Sequence, residues 1–146
     1  GYKGNNVPKV DAVLGKKIIN TISQATKQRI IRSCHDCSEG GLAIAASEMA
    51  FAGGFGMTLN LSAVVTDGHI QRNDTILFSE SNTRFVVEVR PEHQKQFEEL
   101  VKDIPCGLLG KVTSEPLFKI YDLSNKLIVN ENIHDLKEAW QAPLRW

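Results

Sequence analysis

The run His35-Asp36-Cys37-Ser38-Glu39-Gly40-Gly41 places a carboxylate, a hydroxyl and two glycines between a β-branched stretch and a run of small apolar residues. A strand entering this run would deliver Asp36 and Ser38 to a sheet edge. The glycines would let the backbone bend tightly, and the helix that follows would aim its free N–H groups and positive dipole end at the same spot. Such a turn can seat a phosphate on Ser38, Gly40 and Gly41. Asp36 beside it can hold Mg²⁺, which favours one or two carboxylates combined with phosphate oxygens and waters. The same residues also describe an ordinary helix start, with Ser38 or Asp36 as a cap and the glycines shaping the bend. Spacing alone is compatible with both.

Other candidates are weaker. Cys34 and Cys37 form a Cys-x-x-Cys, but zinc needs two further ligands and Cys106 lies far along the chain, so packing thiols compete with a metal or redox turn. His35 invites a general-base role, yet a histidine at a strand end commonly satisfies a local backbone bond, and no nucleophile or metal partner adjoins it in sequence. His69, His93 and His134 stand isolated in polar surroundings and are expected at the surface. No Walker-type glycine-rich loop with lysine is present. A phosphate turn with one carboxylate cannot by itself align ATP, a nucleophile and metal, so no catalytic residue is assigned.

The elements that must position this turn can be read along the chain. Residues 1–9 carry Gly, Asn and Pro with little apolar content and are expected to be a linker from a preceding domain, leaving 10–146 as one domain. Asp11 is a natural N-cap for a helix with Leu14, Ile18 and Ile22 on one face. Ile30 to His35 predicts a buried strand, and Leu42 to about Phe51 a helix so uniformly small and apolar that it must be covered from more than one side. Strands are expected over 57–61 and 83–89 with a polar loop containing Asp67-Gly68 between them. A helix opened by Pro91 and closed by Pro105 has Phe97, Leu100, Val101 and Ile104 on one face. Strands near 108–112, 117–121 and 126–129 follow, the last two joined by the turn Asp122-Leu123-Ser124-Asn125. Asn132 then caps a short helix reaching Trp140. Hairpins mixed with crossovers predict an α+β fold, a mixed β-sheet layered with helices.

Bulk properties bound the function. The chain has 146 residues, 42% apolar and 23% charged, enough for a single core. Seventeen Lys and Arg balance seventeen Asp and Glu, so no long-range field gathers nucleic acid or an anionic membrane. No stretch approaches the roughly 20 apolar residues of a membrane span. No signal-peptide core is visible, and three cysteines are too few for a disulfide scaffold; a cytoplasmic protein is expected.

Longer blocks carry a family resemblance. The run Ser33-Cys34-His35-Asp36-Cys37-Ser38-Glu39-Gly40-Gly41-Leu42-Ala43-Ile44-Ala45, continued by Glu48-Met49-Ala50-Phe51-Ala52-Gly53, resembles the His-Asp-x-Ser-Asp/Glu-Gly-Gly-Leu motif of the formylglycinamide ribonucleotide amidotransferase family. Leu77-Phe78-Ser79-Glu80-Ser81-Asn82-Thr83-Arg84-Phe85-Val86-Val87 is similar to that family's Phe-Ser-Glu-Ser-x-x-Arg strand entry. The leader Gly4-Asn5-Asn6-Val7-Pro8-Lys9-Val10-Asp11 is similar to its interdomain segment. The likeness covers essentially the whole chain in order. Ser38 with Glu39, and Asn82 with Thr83, favour the second of the family's two C-terminal repeats, similar to the C-terminal domain of aminoimidazole ribonucleotide synthetase.

The resemblance implies a domain of the purine-biosynthesis ligase that converts formylglycinamide ribonucleotide, ATP and glutamine into formylglycinamidine ribonucleotide, ADP, phosphate and glutamate. It implies an auxiliary nucleotide site in which the position of Asp36 binds Mg²⁺ and that of Ser38 contacts ATP or ADP. The counterparts of Ser79, Glu80 and Ser81 touch substrate in the first repeat; here a structural role for Glu80, anchoring the strand entry or pairing with Arg84, is weighed above that. The family carries other residues at both cysteine positions. Implied partners are the other domains of the same chain and, in the short form favoured by the chain's end soon after Trp140, a glutaminase subunit and a small helper subunit. An isolated domain is expected to be inactive, and a missing partner should leave an apolar patch exposed that encourages self-association, with a homodimer as one outcome. Competing expectations are a sibling ATP-dependent synthetase or kinase of the same superfamily, and a non-catalytic scaffold whose apolar helix docks partners.

Overall fold

The computed structural model describes residues 7–66, 68 and 70–145; the leader residues Gly4, Asn5 and Asn6, and Asp67 and His69, lie outside them. The first helix, α1 (Ala12–Lys27), starts where Asp11 accepts the Val13 and Leu14 amides at 3.0 Å each, and ends against the buried Ala25 and Ile30. The chain then enters β1 (Ile31–Asp36), α2 (Gly41–Gly53) and β2 (Gly56–Asn60). A short helix, α3 (Asn73–Phe78), precedes β3 (Phe85–Val89) and α4 (Gln94–Val101). Then come β4 (Gly110–Thr113), β5 (Leu117–Tyr121), β6 (Leu127–Asn132) and α5 (Ile133–Gln141), whose cap is the predicted Asn132, accepting the His134 amide at 2.9 Å.

The architecture is α+β, as expected, with the strands among the described residues divided between two sheets. One is a mixed four-stranded sheet in the order β4-β2-β5-β6, with β2 and β5 parallel and the other neighbours antiparallel. The other is an antiparallel ribbon of β1 and β3. The main core lies between α2 and the larger sheet: Leu42, Ala45, Ala46 and Ala50 of α2 pack with Met57, Leu59, Phe118, Ile120 and Ile133. A smaller cluster of Ala25, Ile30, Phe97 and Val101 joins α1 and α4 beneath the ribbon.

α2 is covered from several sides, as its composition requires: α3, α5, β1, β2 and β3 all touch it. Three expectations need correction. The segment before β3 is not all loop, because α3 forms there and buries Ile76 and Leu77. Six residues are too few to show a helical period, so the sequence reads as polar punctuation. β1 is half-buried and not buried, since it pairs with β3 alone and one of its faces meets solvent. β3 begins at Phe85, because Thr83 sits at φ 61°, a left-handed conformation that interrupts extended backbone. Of the histidines, His134 is exposed while His93 is half-buried at the entry to α4. Among the described residues no helix is long and apolar enough to cross a membrane.

Candidate functional site

β1 sets the direction of the site residues. Its last pairs with β3 are His35 with Val86 and Asp36 with Phe85, and strand alternation then continues one residue further. The Cys37 amide donates to the Arg84 carbonyl at 3.0 Å and the Cys37 side chain turns into the core, 3% exposed. Asp36 and Ser38, on either side of it, therefore point outward, and both are exposed. The Asp36 carboxyl is held below its ordinary value, chiefly by the Ser38 side chain beside it, then by its own amide and by His35, whose Nδ1 lies 3.6 Å from Asp36 Oδ1. The carboxylate is thus ionised at neutral pH and keeps open valences toward solvent.

Behind this pair the backbone bends through two consecutive left-handed residues, Gly40 at φ 70° and Gly41 at φ 68°. Gly41 is also sterically required: a Cβ there would lie 2.7 Å from the Leu77 carbonyl oxygen and within 3 Å of the Phe78 backbone. The end of α3 thus packs directly on the start of α2. Gly40 is the N-cap of α2 and offers no side chain to cap it. Its amide donates to Glu80 Oε1 at 2.8 Å, a carboxylate from the loop that follows α3. Beside it the Ser79 and Ser81 hydroxyls share a bond at 2.8 Å, and Arg84 turns to the Ser79 carbonyl at 3.0 Å. The Glu80 carboxylate is thus directed at Gly40, and among the described residues it forms no ion pair with Arg84.

His35 is tied on both ring nitrogens. Nδ1 lies 2.7 Å from the Asp36 carbonyl oxygen and Nε2 lies 2.9 Å from Glu48 Oε2. Glu48 also accepts the Trp140 indole N–H at 2.7 Å, and the Trp140 ring packs on Phe51 with centroids 5.8 Å apart. This chain of contacts, from the strand end through α2 to α5, fixes one wall of a cleft of about 450 Å³. Asp36, Ser38, Gly40, Ile44, Glu48 and Trp140 all line it. Sequence reasoning passed over Glu48. Its signal was available: it is the one charged residue in an otherwise small and apolar helix, and a half-buried carboxylate there needs partners.

The cysteines separate. Cys34 is exposed and Cys37 buried, and both, with Cys106, are free. Burial is the first cause that pushes each of the three thiols up, which leaves them protonated near neutrality. Among the described residues no three His, Cys, Asp or Glu side chains gather to hold a metal ion. The cleft can therefore offer a divalent cation two exposed carboxylates, Asp36 and Glu39, with the remaining ligands left to phosphate oxygens, water or groups from another domain.

Comparison with known proteins fits this geometry into a group. The family described as AIR synthase related protein, C-terminal domain, matches residues 1–122. The phosphoribosylformylglycinamidine synthase subunit PurL of Alkaliphilus metalliredigens is 32% identical over 147 residues, covering 99% of this chain and 19% of its own length. Among solved structures, Thermotoga maritima PurL complexed with FGAR superposes with a TM-score of 0.79 at 21% identity, over 89% of this chain and 22% of that one. The same protein complexed with ADP gives 0.74 at 21% identity, over 82% and 21%. The chain thus spans about a fifth of the length of the curated relatives it matches.

Proposed function

The chain belongs to the family of AIR synthase related protein C-terminal domains, and on that premise we propose that it is the closing domain of a formylglycinamidine ribonucleotide-forming ligase, where it supplies one wall of a nucleotide site. In the whole enzyme, glutamine-derived nitrogen replaces the glycinamide carbonyl oxygen of formylglycinamide ribonucleotide and ATP drives the exchange. This domain carries no catalytic residue. Residues 1–9 act as the linker from the preceding domain, and the other domains of the ligase supply the rest of the site. A glutaminase subunit and a small helper subunit complete the assembly in the cytoplasm.

The observation that carries this is the exposed Asp36–Ser38 pair at the mouth of the cleft, backed by a turn that only glycine can make. A carboxylate held ionised by a neighbouring hydroxyl suits a hard cation, and one carboxylate together with phosphate oxygens is a usual set for Mg²⁺. Asp36 would hold the ion, Ser38 would contact the nucleotide, and Gly40 and Gly41 would set the backbone behind them. When bound, Mg²⁺ would neutralise phosphate charge and fix the nucleotide's orientation. Ser79 and Ser81, bonded to one another, line the loop beside the turn. Support comes also from the ADP complex of T. maritima PurL, a protein with the same fold.

A binding measurement tests this. Titrating MgADP into the protein by calorimetry should give saturable heat that is absent from Asp36→Ala and strongly reduced in Ser38→Ala. Equal binding by wild type and Asp36→Ala, or none by wild type when assembled with the rest of its ligase, would refute a nucleotide role and leave a docking scaffold.

A further inference from the structure

Helix α2 begins without local help. In a capping box the third helical residue is Glu or Gln and reaches back to the N-cap amide, whereas here the third position is Ala43 and the cap itself is glycine. The bond that a capping box would make is supplied from another element. Glu80, forty positions along the chain, places Oε1 2.8 Å from the Gly40 nitrogen. The approach is enforced from behind, because the Leu77 and Phe78 backbone packs on Gly41 so closely that no Cβ fits. A carboxylate is thus pressed onto the positive end of a thirteen-residue helix, the position where a bound phosphate would otherwise be stabilised.

We infer that Glu80 is the resident anion of the α2 N-terminus, a positioning residue that fills the phosphate-accepting end of the two-glycine turn, so that a nucleotide reaches this chain through Asp36 and Ser38 and not through the Gly40 amide. The inference deepens the functional reading and rests on it only for what the nucleotide touches; the occupancy of the helix end stands apart from it. Its chemistry has a simple consequence. Removing the side chain uncovers a seat for a small carboxylate or phosphate anion, and refilling the seat with a free anion restores the turn.

Chemical rescue is the test. Glu80→Ala should lower the thermal midpoint by about 3 °C, the size of a lost helix cap in a domain of this length. Sodium formate, matched in ionic strength against sodium chloride, should restore most of that loss while moving wild type no more than chloride does. Glu80→Gln keeps an acceptor and drops the charge, so its midpoint should fall between the two. In amide NMR spectra, inorganic phosphate should shift Gly40 in Glu80→Ala and leave it in place in wild type. An unchanged midpoint in Glu80→Ala, a loss that formate does not repair, or a wild-type Gly40 that responds to phosphate as the variant does would each overturn the inference. None of these measurements involves MgADP or Asp36, so failure of the nucleotide role and failure of the anion plug are told apart.

Discussion

Two strand ends in this molecule carry the same tripeptide pattern, Asp36-Cys37-Ser38 after β1 and Asp122-Leu123-Ser124 after β5, and they use it in opposite ways. At the β5–β6 turn the carboxylate is consumed by its own loop. Asp122 Oδ1 accepts the Ser124 and Lys126 amides at 2.8 Å each, and Asn73 from α3 clamps the turn through the Asp122 carboxylate and the Leu123 amide. At the end of β1 the Gly40 amide donates to Glu80, and Asp36 is left with Ser38, its own backbone and the His35 ring, whose Nδ1 lies 3.6 Å from Asp36 Oδ1. Both carboxyls are held low, but Asp122 chiefly by the Lys126 amide and Asp36 chiefly by a hydroxyl. An Asp-x-Ser spacing therefore does not mark a ligand site. The two ends differ in which acid bonds the loop amides: Asp122 itself after β5, and Glu80, from another element, after β1.

The contrast can be broken most forcefully at the bend. Gly41→Ala forces a side chain into a left-handed residue and against the Leu77 carbonyl, and should cost roughly 3 kcal/mol in urea unfolding. At the other turn the left-handed residue is Asn125, at φ 60°, which asparagine tolerates, so Asn125→Gly should change stability little. A smaller effect sharpens the comparison. Asp122→Ala strips two backbone amides of their acceptor and should lower the thermal midpoint by about 3 °C, whereas Asp36→Ala should move it by less than about 1 °C. Equal losses from the two alanine variants would mean that Asp36 is as much a structural turn residue as Asp122.

What the sequence made legible was whatever a few adjacent residues decide. Asp11 and Asn132 cap the helices expected of them, the Asp122–Asn125 turn joins β5 to β6, and Phe97 and Val101 bury the face that their spacing predicts. Asp36 and Ser38 could be singled out for the same reason, since strand, turn and helix start are local events. The partners of Glu80 and Glu48 could not be read, although Glu48 stands out as the one charge in α2, because the contacts to Gly40 and Trp140 join segments 40 and 92 positions apart and leave no periodic trace. α3 escaped because its structure depends on docking: Ile76 and Leu77 are buried against α2, and six residues make too little helix to persist alone. The site is thus half local and half tertiary. Its solvent-facing Asp36 and Ser38 are written in one heptapeptide, and the groups packed around them, Glu80 and Trp140, come from elsewhere.

The smallest expected effect concerns acid. Asp36 has a folded-state value below the ordinary 3.8, so its ionisation favours the folded chain. That contribution is complete above the unfolded value, near pH 4, and is lost as pH falls through the lower folded one. Asp122 behaves with the same sign, but its donors are amides of the turn and remain in any variant of Ser38. Ser38→Ala removes the first cause of the Asp36 depression and leaves Asp122 untouched. The gap in thermal midpoint between wild type and Ser38→Ala should therefore hold constant from pH 7 to about pH 5 and close below about pH 4, once Asp36 is protonated in both. It should be small throughout, because Asp36 is open to solvent. A gap that does not narrow as the pH is lowered below about 4 would mean that Ser38 stabilises the turn by some contact other than its interaction with the carboxylate, and the contrast between the two Asp-x-Ser turns would lose its chemical basis.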